Sequence, residues 1–129
     1  STEITERALT GNLLINARGK SRTVPRMMEF FDGAATFPWK SQGAWIGARM
    51  AARFGLDRAQ SATKAAAVFR SDLYRRHLGP LGADLPAASE KLEGALASPT
   101  TAATDSGTLI LGPDRFFDDQ IFDPRRPEC

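Results

Sequence analysis

"ARMAARFGLDRAQSATKAAAVF", residues 48–69, decides the fold, because two alanine-rich helical patterns meet there at Gly55. On its N-terminal side Ile46, Met50 and Phe54 recur every four residues, and Gly43, Gly47 and Ala51 follow the same spacing on an adjacent stripe. Side chains four apart share a helix face, so the small stripe predicts a place where a neighbouring helix or strand approaches closely. Ser41 is placed to cap this helix, and Gly55 supplies the left-handed residue that ends it. On the C-terminal side Asp57 and Gln60 have the spacing of a capping box. The pattern then predicts one long helix to about Leu78, with Ala59, Ala62, Ala66, Phe69 and Leu73 inward and Arg75, Arg76 and His77 in its last turn.

Two helices joined at "FGLD" are either a packed corner or a helix-turn-helix. The second reading makes Arg58, Gln60, Ser61 and Lys64 the early, outward residues of a reading helix, able to meet phosphates or base edges. Capping and packing account for each residue of the corner without DNA, and the corner is the preferred reading.

Further out the signals are shorter. Thr2, Glu3 and Glu6 suit a helix start, and Gly11 interrupts it; "NLLINA" then predicts an extended segment turning at Arg18-Gly19. Pro25, Met27, Phe30 and Phe31 predict a short helix stopped by Gly33. "AATFPWK" is a loop, since Pro38 drives Phe37 out of the helical region, and Phe37 and Trp39 either lid the core or anchor a partner. A further helix is expected from about Leu85 to Leu96, with Leu85, Ala88, Leu92 and Leu96 inward. "TLILGPDRFF" predicts a hairpin turning at Pro113, and the tail after Phe122 is expected to run extended, with Arg125 and Arg126 on it. The stretch from Ser89 to Phe117 resembles the helix and hairpin that close a thioredoxin-like fold. That fold's proline before the first strand is replaced by Asp105, Ser106 and Gly107, and its paired cysteines are missing, so the resemblance implies no activity.

Composition supports helices. Alanine supplies 20 of the 54 apolar residues and only seven are Val or Ile, a balance that favours closely packed helices over a broad sheet. At 129 residues one domain is expected, 1–123, with 124–129 as tail. No run of about 18 apolar residues and no charged-then-apolar leader occurs, so a cytoplasmic protein without a membrane segment is the expectation. The net charge of +2 conceals a split: residues 1–80 hold 13 Lys or Arg against six Asp or Glu, and residues 81–129 hold four against nine. A basic half and an acidic half suit an anionic partner or mutual attraction between subunits.

The chemical motifs are thin. "ARGKSR" ends like a phosphate-binding loop, but Leu14 stands where the first glycine belongs; Arg18, Lys20 and Arg22 remain as a basic cluster able to meet phosphates. His77 is the only histidine and Cys129 the only cysteine, which removes paired-histidine metal sites and leaves a poor Cys-His nucleophile. Asp118, Asp119 and Asp123 lack the glycine and closing glutamate of a calcium-binding hand. No catalytic residue, metal or cofactor is assigned.

The sequence therefore predicts a mainly α, small helical domain of four to five helices with a short C-terminal β-hairpin and an extended tail. Its expected role is non-catalytic: an accessory or assembly subunit that binds a protein partner or its own copies through Phe37, Trp39, Phe122, Arg125 and Arg126. One alternative is a DNA-binding regulator using Arg18, Lys20, Arg22, Arg58, Gln60, Ser61 and Lys64. Another is a small enzyme with a pocket near residues 25–40, drawing on Glu29, Asp32 or Asp72.

Overall fold

The computed structural model describes residues 2–25, 27, 32–104 and 107–128. The chain divides into two compact units, Ser1–Phe30 and Phe31–Cys129.

The smaller unit holds helix α1 (Thr2–Thr10) and an antiparallel hairpin of β1 (Asn12–Leu14) and β2 (Ser21–Thr23), in register Asn12 with Thr23 and Leu14 with Ser21. Asn16 organises the turn, its Oδ1 accepting from the Arg18 and Lys20 backbone N–H groups at 3.1 Å each. The helix, extended segment and turn at Arg18-Gly19 thus match the sequence reading. The expected helix at 25–32 rests on Arg26 and residues 28–31, which lie outside the described residues.

The larger unit contains three α-helices, α2 (Lys40–Phe54), α3 (Arg58–Val68) and α4 (Ser71–Leu78), and one hairpin of β3 (Thr100–Ala103) and β4 (Thr108–Leu111). With two separate two-stranded sheets among the described residues, this is not the expected four-to-five-helix, mainly α domain.

The corner at Gly55 forms as read. Gly55 sits at φ 67°, closing α2, and the Asp57 side chain caps α3 by accepting from Gln60 N at 2.7 Å. The glycine stripe brings α2 and α3 together: a Cβ on Gly47 would lie 2.5 Å from the Ser61 carbonyl oxygen, and one on Gly43 would lie 2.6 Å from the Phe69 ring. Ala44, Ala48, Ala62 and Phe122 close this core, with Trp45 and Ala66 at its edge. A second cluster joins Ala34, Phe37, Trp39 and Leu109.

Four expectations are corrected. The long helix breaks between α3 and α4, where Phe69 (ψ 89°) and Arg70 (ψ 68°) leave the helical region. The break directs Phe69 against Gly43, buries Ser71, and lets Arg70 grip Asp72 through two bonds of 2.8 and 2.6 Å in the first turn of α4. Residues 84–99 are not a helix but an irregular strap whose backbone bonds elsewhere: Ala87 N to Ala103 O, Glu93 N to Phe122 O, and Ser89 O to Lys40 N. Pro86 denies the pattern a helical amide near its start, and Gly94 stands at φ 84° near its end. The hairpin turns one strand earlier than expected, so "TLIL" is its second strand. Nor is the tail extended, because Asp123 folds it, accepting from Arg125 N at its side chain (2.9 Å) and Arg126 N at its carbonyl (3.0 Å).

The Arg70 hydrogen bonds hold the Asp72 carboxyl well below the usual carboxylate range. A carboxyl depressed in the folded state contributes stability that is complete above its unfolded value, about 4, and is lost as pH falls below it. We expect Asp72→Asn to lower stability slightly at neutral pH and to converge on the parent as the pH falls well below about 4, where the parent's carboxylate is protonated, as read by thermal melts across pH.

Candidate functional site

The geometry gathers at the N-terminal half of α2. Ser41 is 0% exposed and does not cap the helix; that position falls to Trp39, which makes no side-chain cap. The Ser41 hydroxyl instead donates to Glu93 Oε1 at 2.6 Å and accepts from Lys91 N at 3.1 Å. The Lys91 ammonium bonds Glu93 Oε2 at 2.6 Å and Asp114 Oδ2, and it lies 5.8 Å from the Trp39 ring centre. Asp114 Oδ1 then takes the Leu96 amide at 2.8 Å. Glu93 is 4% exposed, so one lysine bridges a buried glutamate and a half-buried aspartate while a serine satisfies the remaining glutamate oxygen.

This network ties α2 to the strap and to the segment after β4. A serine with no exposed surface cannot meet a substrate, and the lysine is taken up by two carboxylates. Its chemistry is that of a lock.

Beside it opens a groove of about 310 Å³, lined by Gln42, Trp45, Ile46, Glu93, Asp114 and Phe116. Trp45 and Phe116 form its aromatic wall, stacked at 5.0 Å and 14°, with the Arg49 guanidinium 5.6 Å from the Trp45 ring centre. The groove runs into the outer stripe of α2, where Ile46, Met50 and Phe54 are 46%, 49% and 61% exposed. Arg49 and Arg53 lie beside that stripe on the same exposed face.

The residues singled out from sequence fall in several places. Phe37 and Trp39 are buried, edge to face at 4.9 Å, with Tyr74 on Phe37 at 5.4 Å; they take the lid arrangement. Phe122 is buried and bridged to Glu93. Arg125 and Arg126 are exposed, and Arg125 borders a cleft of about 400 Å³ with Glu90, Lys91, Leu92, Asp123 and Pro124. Arg18, Lys20 and Arg22 are exposed on the hairpin of the smaller unit. On α3, Arg58 donates to the Glu128 carbonyl at 3.1 Å, Ser61 is half-buried against Gly47, and Gln60 accepts from Lys64 at 3.2 Å. Only Gln60 and Lys64 of these four point clear of the protein. Glu29 lies outside the described residues, and the Asp72 carboxylate is on the surface with Arg70.

Sequence reading missed Lys91, Glu93, Asp114 and the Trp45–Phe116 stack. The available signal was the pairing of Pro86 and Gly94 around "SEKLE", which marks an irregular segment carrying charges that must find partners. Among the described residues no group of three or more His, Cys, Asp or Glu side chains comes together as a metal site, and no helix is long and apolar enough to cross a membrane. Comparison with protein-family models, curated proteins and solved structures finds no match.

Proposed function

We propose that this chain is an accessory or assembly subunit that binds a protein partner along the outer face of α2 and the groove at its N-terminal half. The observation that carries the reading is an inverted distribution of apolar bulk. Five of the nine buried apolar residues described are alanines, while Ile46, Met50, Phe54 and Leu56 stand about half exposed or more on and just after one helix. A contiguous apolar patch on a soluble surface marks an interaction site, and an i, i+4, i+8 stripe fits an apolar helix face laid beside it. The flanking Arg49 and Arg53 favour a partner helix that carries carboxylates at its edges.

The test is a pull-down with the full tagged chain from native lysate, with and without nuclease, repeated with Met50→Glu. We expect a stoichiometric protein that survives nuclease and is lost with Met50→Glu, a surface change that should alter stability by no more than about 0.5 kcal/mol. Sedimentation of the purified chain separates self-association from a foreign partner. Recovery of nucleic acid alone, abolished by nuclease, would instead assign the corner at Gly55 to DNA.

A further inference from the structure

A second, smaller cavity of about 30 Å³ lies on the other side of Trp45, where α2, the start of α3 and the segment around Gln120 meet. That volume exceeds what one water molecule needs and is too small for an organic ligand. Its polar lining is Trp45, Arg49, Arg58 and Gln120; no carboxylate contributes, and the remaining walls are apolar.

Two of those residues carry buried donors with nothing to bond. Trp45 Nε1 and Arg58 Nε are both shielded from solvent and have no acceptor among the described residues. Leaving a buried donor unpaired costs about 1 to 3 kcal/mol, more on a charged group, so two on one small cavity demand a common explanation. The surroundings decide what it is. Another nitrogen of Arg58 bonds a neutral carbonyl, that of Glu128, and no carboxylate lies within ion-pair reach of Arg58 among the described residues. The one lining side-chain acceptor, Gln120 Oε1, already takes Arg49 at 3.3 Å, which leaves the Gln120 amide as a further donor. A water molecule there could accept from Trp45 and Arg58, but the side chains of the lining offer its hydrogens only the second lone pair of Gln120 Oε1. An ion that only accepts meets no such conflict.

We propose that this cavity binds one small inorganic anion of the halide class, chloride in size and charge, held by the Trp45 indole N–H and the Arg58 guanidinium. The ion neutralises a cation that no carboxylate among the described residues compensates, and it braces α2, α3 and the C-terminal segment at one point.

The experiment uses the full chain. Chloride is titrated against gluconate at constant ionic strength while the two indole N–H resonances are followed by NMR, and the melting temperature is recorded at each end. We expect a saturable shift of the Trp45 resonance with none at Trp39, and a melting temperature that rises with chloride, as binding to the folded state requires. Arg58→Gln should weaken the apparent affinity roughly tenfold, the loss of one charge-assisted bond. If that variant fails to fold, crystals of the unaltered protein soaked in bromide decide the matter: an anomalous peak between Trp45 Nε1 and Arg58 Nε supports the site. A cavity without that peak, or a linear response equal in chloride and gluconate, overturns it.

Discussion

Lys91→Met should destabilise the protein by about 3 to 5 kcal/mol in urea unfolding at neutral pH, the largest loss we expect from any single charged-to-apolar exchange in the chain. The Lys91 ammonium touches both Glu93 and Asp114, and Glu93 is buried with its other oxygen held by Ser41. Removing the lysine leaves two carboxylates facing one another in a site from which water is largely excluded. Methionine fills the volume of the stem yet offers neither charge nor donor, so the cost is that of an uncompensated buried anion. Lys91→Met combined with Glu93→Gln and Asp114→Asn should recover much of the loss, because the amides carry no charge. A triple variant no more stable than Lys91→Met would show that the loss comes from the ammonium's place over the Trp39 ring instead of from the carboxylates.

Gly47→Ala is the second large effect. Alanine inside a helix is ordinarily favoured over glycine by about 1 kcal/mol. Here the added methyl would lie 2.5 Å from the Ser61 carbonyl oxygen and 2.7 Å from the Ala65 Cβ, contacts that only a separation of α2 from α3 relieves. Overpacking of this kind costs roughly 1 to 3 kcal/mol, and backbone on the far side makes the upper end apt, so a net loss of about 2 kcal/mol is expected by thermal or urea unfolding. Gly43→Ala should cost somewhat less, since its nearest contact is the Phe69 ring at 2.6 Å and its backbone contact, the Ala65 carbonyl oxygen, lies at 2.8 Å against 2.5 Å for Ser61 at Gly47. Gly112→Ala, which meets nothing within 4 Å, serves as the neutral control. Equal stability of Gly47→Ala and Gly112→Ala would mean that the helices are not packed as closely as described.

The contrast between these positions explains what sequence could and could not disclose. The corner was legible because its signals are local: Gly55 ends one helix by its own backbone freedom, Asp57 caps the next through a neighbour three residues on, and small residues four apart announce close packing. The site was not legible because its bonds are remote. Ser41 has the appearance of a helix cap, and only the arrival of Glu93, 52 residues later, gives its hydroxyl a different partner. In the same way "SEKLEGAL" has helical spacing, but the tertiary bonds of Glu93 with Phe122 and of Asp114 with Leu96 outweigh propensities worth a few tenths of a kcal/mol per residue. The break at Phe69 follows from a ring that needed to reach Gly43, a demand no local pattern records.

The strap's bonding has a consequence for how the molecule comes into being. Ser41 waits 52 residues for Glu93, Arg49 waits 71 for Gln120, and Arg58 waits 70 for the Glu128 carbonyl. Helices α2 and α3 can pair as soon as residue 68 is free, since their contacts are near neighbours along the chain. Their polar lock closes only after Lys91, Glu93 and Asp114 have emerged from the ribosome. At roughly 5 to 20 residues per second that leaves a helix pair whose Ala44, Ala48 and Ala62 still lack Phe122, and an unmatched serine, for several seconds of synthesis.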